Sequence, residues 1–202
     1  CQDEDKSIDI GKNINIQNEE RRNIDKIATQ EAIETIESSE EFKDKRSIVI
    51  YNPNWTKGII GIVASRLVEK FYRPTIVLTK SSDGLITGSA RSIKEFNIYE
   101  GINFCAELLE HFGGHKYAAG LSLKEENLDI FIQKFDEYVN ENLHEDAFIP
   151  EISVDLALDL TEITPNFVKN LKRFAPFGPG NMSPIFLSKN VVEEGSARIV
   201  GS

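Results

Sequence analysis

Three short stretches carry the side chains best suited to holding an anion. The first is FGGHKYAAG, Phe112–Gly120. Two glycines after a helix let the backbone turn left-handed and come close to a ligand. The amides of Gly113 and Gly114 can face an anion, and His115 and Lys116 add donors. The competing reading is an ordinary helix C-cap with an exposed histidine. The second stretch is GSARS, Gly88–Ser92. Ser89, Arg91 and Ser92 are expected to set three polar groups on one face of a strand end. Arg91 offers a planar fork for phosphate and the hydroxyls complete a cradle; a surface salt bridge is the alternative. The third is NPNWTKGIIG, Asn52–Gly61, with Trp55 ahead of a helix that has glycines in its first turns. That pattern fits an anion site at a helix N-terminus, with Trp55 as a base-stacking platform, or else a lone tryptophan that plugs the core.

Hydrolysing a phosphodiester near neutral pH usually needs a metal-bound water or a comparable base. His111, His115 and His144 form no cluster with carboxylates at metal-ligand spacing, and there is no Asp-His-His triplet, cysteine pair or P-loop. The stretches above therefore read as binding chemistry, with no catalytic and no metal-ligating residue in the chain.

The elements that must position them alternate in type. Residues 1–13 are polar and expected to fray. Ile14–Ser38 reads as one long helix, with Ile16, Ile24, Ala28, Ala32 and Ile36 on a four-residue ridge and Ile27 beside it. So narrow a stripe suits a connector packed partly against each neighbour. Ser47–Tyr51 and Thr75–Thr79 are short buried strands flanking a helix from Ile59 to Phe71. A strand from Leu85 to Arg91 follows, then a helix capped by Asn97 and running to Phe112, with Ile98, Ile102, Cys105, Leu109 and Phe112 inward. Ala118–Leu123 returns as a strand and Glu126–Leu143 as a helix. This alternation predicts a layered α/β domain over residues 46–147. Beyond Pro150, apolar residues alternate from Ile152 to Leu160, the mark of a strand with one wet face. A helix begins at Pro165 with Thr164 as cap. The loop Ala175–Asn181 and strand-like runs at Ile185–Val192 and Ala197–Val200 complete a β-rich unit over residues 148–202 that stops partway.

The chain has 202 residues and a net charge of −10, which weighs against a phosphate-bearing ligand. The charge is unevenly spread. Residues 1–45 hold 7 basic and 13 acidic side chains and residues 121–202 hold 7 and 14, whereas residues 46–120 hold 9 and 6. The only positive stretch carries all three candidate motifs. No apolar run approaches the ~20 residues needed to cross a bilayer, and Cys1 in place of Met suggests a piece of a longer protein. Cys105, on the apolar face of a helix, is expected to be a buried thiol, consistent with a cytoplasmic setting.

Taken in order, these motifs resemble DHHA1, the accessory domain of the DHH phosphoesterase superfamily, and most closely its RecJ-type members. Asn54–Ser92 and Phe112–Leu123 are similar to the signature segments, Ile14–Ile36 to the long helix joining the two lobes, and Phe174–Phe186 to the start of the family's OB-fold domain. The resemblance implies a layered mixed sheet with a long N-terminal connector over residues 1–45. It also implies a role as the substrate-binding part of a 5′-to-3′ exonuclease for single-stranded DNA, acting in DNA repair and recombination. Manganese or magnesium would be held by a DHH lobe that these residues lack. Ser89 and Arg91 would anchor a terminal phosphate, and Gly113, Gly114 and His115 would line the cleft near the scissile phosphate. Thr56 departs from the pattern, since the family often has histidine there. Two alternatives stand beside this: a phosphodiesterase for oligoribonucleotides or cyclic dinucleotides, and a non-enzymatic nucleic-acid-binding module.

Overall fold

Strands of isoleucine, valine and leucine too short to fold alone become stable when both faces are covered. In the computed structural model, which describes residues 4–192 and 195, that is the arrangement of the first unit, up to Pro150. A five-stranded sheet has the order β1 (Ile48–Tyr51), β2 (Thr75–Lys80), β3 (Ile86–Arg91), β5 (Ala118–Leu123) and β4 (Leu109–His115). β1 and β2 are parallel, joined through α2 (Ile60–Phe71), and every other pairing is antiparallel. The fold is a mixed α/β layer structure, as the alternation of elements predicts.

Side chains alternate across the sheet, so two cores form. On one face Ile76, Leu78, Ile86, Ala90, Leu121 and Leu123 pack with α3 (Ile98–Phe104) and α4 (Leu128–Asn142), through Ile98, Ile102, Phe131 and Phe135. On the other, Ile48, Ile50 and Val77 meet α2 through Ile60, Val63 and Leu67. They also meet the C-terminal part of α1 (Glu4–Ser38) through Ala28, Ala32 and Ile36. Cys105 is a free, fully buried thiol, and burial pushes its pKa up to about 12. Cys1 lies outside the described residues.

Several expectations need correcting. α1 is helical from Glu4 rather than frayed through residue 13. Its ridge is buried only from Ala28 onward, and Ile16, Ile24 and Ile27 are exposed. The helix expected from Asn97 to Phe112 ends at Phe104, and a 3-10 turn leads straight into β4. Asn97 holds the N-cap position, but its side chain makes no capping bond. The error has a physical source. β4 carries an irregularity between Leu109 and His111, so Leu109 pairs with Leu123 and Phe112 with Leu121, both on the same face. One extra residue in a strand thus reproduces the i, i+3 spacing of a helix.

The second unit, from Glu151 onward, holds a two-stranded parallel pair, β6 (Leu156–Ala157) and β7 (Phe186–Leu187), with α5 (Pro165–Leu171) between them in sequence. Thr164 caps α5 as expected, its hydroxyl accepting from the Phe167 amide. The strands expected over Ile152–Leu160 and Ile185–Val192 shrink to two residues each. Ile152, Val154, Leu156 and Leu160 are exposed, with no second sheet layer over them among the described residues. Ala197–Val200 lies outside the described residues. No described helix is long and apolar enough to cross a membrane.

Candidate nucleic-acid interface

Strand register decides which polar groups meet. Ser89 on β3 lies opposite Gly120 on β5, which lies opposite Gly113 on β4. Next to that row, Arg91 lies opposite Ala118, which lies opposite His115. Directly opposed residues share a face, so Ser89, Arg91, Gly113 and His115 point to one side. Two strand spacings separate the Arg91 and His115 backbones, roughly 10 Å. α2 covers this face over β2 and β3, while Gly113, His115 and Gly120 are exposed. The outcome is a half-roofed sheet face, with Ser89 and Arg91 half-buried at the edge of the roof.

The glycines make that face bare. A Cβ at Gly113 would meet nothing within 4 Å, and one at Gly120 only the Gly88 carbonyl at 3.8 Å. Backbone is open to a ligand there. Gly114 serves the strand instead. Its φ of +152° and the 2.3 Å from a built Cβ to the Ala118 carbonyl oxygen leave room for no other residue. The pair therefore belongs to a strand edge and not to the helix C-cap that the spacing suggested.

The charged donors are placed as follows. Arg91 donates to Ser89 Oγ at 3.0 Å and to the Ala90 carbonyl at 2.8 Å. Among the described residues it has no carboxylate partner, so the salt-bridge alternative finds no support. His115 Nδ1 accepts from the Tyr117 amide at 3.2 Å, which leaves Nε2 as the donor of the neutral ring.

Of the other expected members of the site, two are committed elsewhere, Trp55 and Ser92. Trp55 is 7% exposed, and its indole donates to Glu31 Oε2 of α1 at 2.9 Å. A ring wedged between helix and sheet cannot stack on a base. Ser92 follows Arg91 past the strand end, and its hydroxyl donates to the Phe96 carbonyl at 2.9 Å. Lys116 lies exposed in the β4–β5 turn next to His115, and lines a small cavity with Glu95, Asn97 and Glu100. Thr56 is exposed in the turn ahead of α2.

Two cavities flank the shared face. One, of about 440 Å³, is lined by Arg91, Gly61 and side chains of α1 and α2. The other, of about 550 Å³, is lined by Lys57, Thr87, His111, Gly113, Gly120 and Ser122. Lys57, Thr87 and Ser122 were not singled out from sequence. The signal was the alternation His111, Gly113, His115, which becomes visible once residues 109–115 are read as a strand. Among the described residues, no group of three or more His, Cys, Asp or Glu could hold a metal ion.

Comparison with known proteins decides the family. Residues 44–141 match the DHHA1 domain, and residues 154–202 match the RecJ OB domain. The single-stranded-DNA-specific exonuclease RecJ of Bacillus subtilis (strain 168) is 39% identical over 183 residues. The chain belongs to the RecJ family. That alignment covers 90% of this chain and 23% of the relative. RecJ of Escherichia coli (strain K12) is 33% identical over 175 residues, 84% of this chain and 30% of that protein. The chain thus spans about a quarter to a third of these relatives. The crystal structure of RecJ in complex with Mn2+ from Thermus thermophilus has a TM-score of 0.80. It is 23% identical and covers 93% of this chain and 27% of that one, which supports the fold.

Proposed function

We propose that this part of the RecJ family grips the 5′ end of single-stranded DNA for a metal-dependent 5′-to-3′ exonuclease active in cytoplasmic DNA repair and recombination. The observation that carries the reading is the register. Adjacent rows across β3, β5 and β4 put Ser89, Arg91, Gly113 and His115 on one open face. Arg91 and Ser89 anchor the terminal phosphate at the roofed edge, where a guanidinium fork and a hydroxyl already meet at 3.0 Å. The strand then crosses the bare backbone of Gly120 and Gly113, and Nε2 of His115 donates to a phosphate near the cleavage point. Ser92 and Trp55 support this face without touching the strand, and Lys116, exposed beside His115, adds a cation at its margin. Water activation falls to a manganese- or magnesium-binding DHH lobe outside these residues, a reading supported by the Thermus thermophilus RecJ structures in complex with Mn2+ and with Mg2+. The RecJ OB match favours DNA strands over oligoribonucleotides or cyclic dinucleotides as substrate.

The test is the Arg91→Ala variant of the full-length protein, assayed on strands with 5′-phosphate and with 5′-hydroxyl ends. Losing a charge-assisted hydrogen bond of this kind costs roughly 1.5–3 kcal/mol, so the rate ratio should fall about tenfold or more. A lowered thermal midpoint with an unchanged ratio would make Arg91 structural and sink the reading. This chain alone, with manganese, should leave labelled strands intact.

A further inference from the structure

We propose that Thr87, Ser122 and His111, with Lys57 in the turn ahead of α2, form a second subsite on the open face, which holds one internal nucleotide on the 3′ side of the terminal phosphate. This rests on the reading that Arg91 anchors that phosphate. It adds a grip on the part of the strand that stays when the terminal nucleotide is cut away.

The register that builds the first two rows builds a third. Thr87 on β3 lies opposite Ser122 on β5, which lies opposite His111 on β4. Thr87 stands two residues before Ser89 and four before Arg91, so all three side chains point to the same side. Four residues of strand span about 13 Å, a distance that a strand must bridge and a lone phosphate does not. The Gly120–Gly113 row lies between the third row and that of Arg91 and His115. A strand held at the third row therefore reaches His115 across bare backbone.

The donors of this row are uncommitted. Lys57 and His111 are exposed, and neither has a carboxylate partner among the described residues. The Ser122 side chain is half-buried and makes no hydrogen bond among them. The Thr87 hydroxyl donates to the Leu121 carbonyl at 3.4 Å, which leaves its oxygen as an acceptor. The cavity that these residues line has a volume of about 550 Å³, which is the size of a small-molecule site and far more than a phosphate group fills. Its lining mixes the functions that a nucleotide presents. Lys57 supplies a cation for the phosphodiester, Leu85 an apolar wall, and Gly113 and Gly120 backbone that can be approached closely. Asp83, the only acid in the lining, accepts from the Leu85 amide at 3.2 Å. Its charge repels a free anion, but its oxygens can accept from a base N–H. The set suits a nucleotide better than inorganic phosphate.

The experiment measures binding to the full-length protein in EDTA, so that no strand is cut. The two ligands are thymidine 5′-monophosphate and a 5′-phosphorylated tetrathymidylate. The parent should bind the longer one more tightly. Lys57→Gln should cut that length advantage about fivefold and Ser122→Ala about twofold, with mononucleotide affinity and the thermal midpoint held. Because Lys57 meets a phosphodiester, its loss should also lower the salt slope of tetranucleotide binding by up to roughly 0.7. A length advantage unchanged in both variants would sink the subsite, and so would mononucleotide affinity falling as far as that of the tetranucleotide. In either case a preference for phosphorylated ends that is lost in Arg91→Ala keeps the proposed function standing. A parent that binds phosphorylated and hydroxyl ends equally would overturn the proposed function, and this subsite with it.

Discussion

One face of the sheet holds two different surfaces. Over β1 and β2 it carries Ile48, Ile50 and Val77, sealed by Leu67 and its neighbours on α2. Over β5 and β4 it carries Gly120, Ser122, His111, Gly113 and His115, with no helix above them among the described residues. Past the irregularity in β4, from His111 to His115, the side-chain period is the same on both halves. What changes is side-chain volume. Large aliphatic groups demand a roof, because leaving them wet forgoes the gain from burial. Glycine demands none, and lets a ligand approach the backbone closely. Ser89 and Arg91 sit where one surface gives way to the other, so a guanidinium there is held by the roofed half and offered to the open half.

Stability should suffer most from changes on the roofed side. Leu67 is fully buried among the strand side chains. Leu67→Ala should cost about 2–5 kcal/mol of unfolding free energy through lost burial and a residual cavity. Denaturant titration measures the cost, and a loss below about 1 kcal/mol would mean that α2 does not seal this face. Trp55→Phe should come next. It removes the indole donor to Glu31, an exposed residue whose carboxylate can turn to water, at a cost of about 0.5–1.5 kcal/mol. Strand affinity should stay unchanged. If affinity falls while stability holds, the stacking role returns.

The roofed half was largely legible in the sequence. Apolar runs such as IVIY and TIVLT, with a helix stripe of Ile60, Val63 and Leu67 between them, have few other solutions than buried parallel strands beneath a helix. The open half was not. Leu109 and Phe112 stand three apart and read as helix, and only a bulge, which depends on pairing with β5, explains why both point inward. Trp55 shows the same limit. Its position before a helix fits stacking and packing equally well, and Glu31, 24 residues away in sequence, decides between them. Ser89 and Arg91 were legible because period two alone puts them on one side of β3, whereas their meeting with Gly113 and His115 needed the register of two further strands. Beyond Glu151, period two was misleading. Alternating residues from Ile152 to Leu160 need a partner strand along their length, and β7 supplies one for two residues only.

The smallest expected change in stability gives the most exacting test of the two surfaces. A methyl group at Gly113 meets nothing within 4 Å, and φ there is not in the left-handed region. Gly113→Ala should therefore leave stability within about 0.5 kcal/mol of the parent. On the roofed half, a substitution so quiet structurally would be quiet in every assay. Here the methyl stands on the open row that continues from Ser89 through Gly120, where the strand is proposed to run against backbone. Its size is enough to hold a phosphodiester away from the Gly113 and Gly120 backbone, and a hydrogen bond lengthened past ordinary range loses most of its worth. We expect affinity for single-stranded DNA to fall on the order of tenfold, equivalent to about 1.4 kcal/mol, with an unchanged thermal midpoint. The loss should be similar for 5′-phosphorylated and 5′-hydroxyl strands, since Gly113 stands two strands away from the Ser89–Arg91 end of the row. A loss confined to phosphorylated ends would place the terminal phosphate over the glycines instead. Affinity equal to the parent's would show that the strand does not touch this row, and that the bare surface serves only the edge of the sheet.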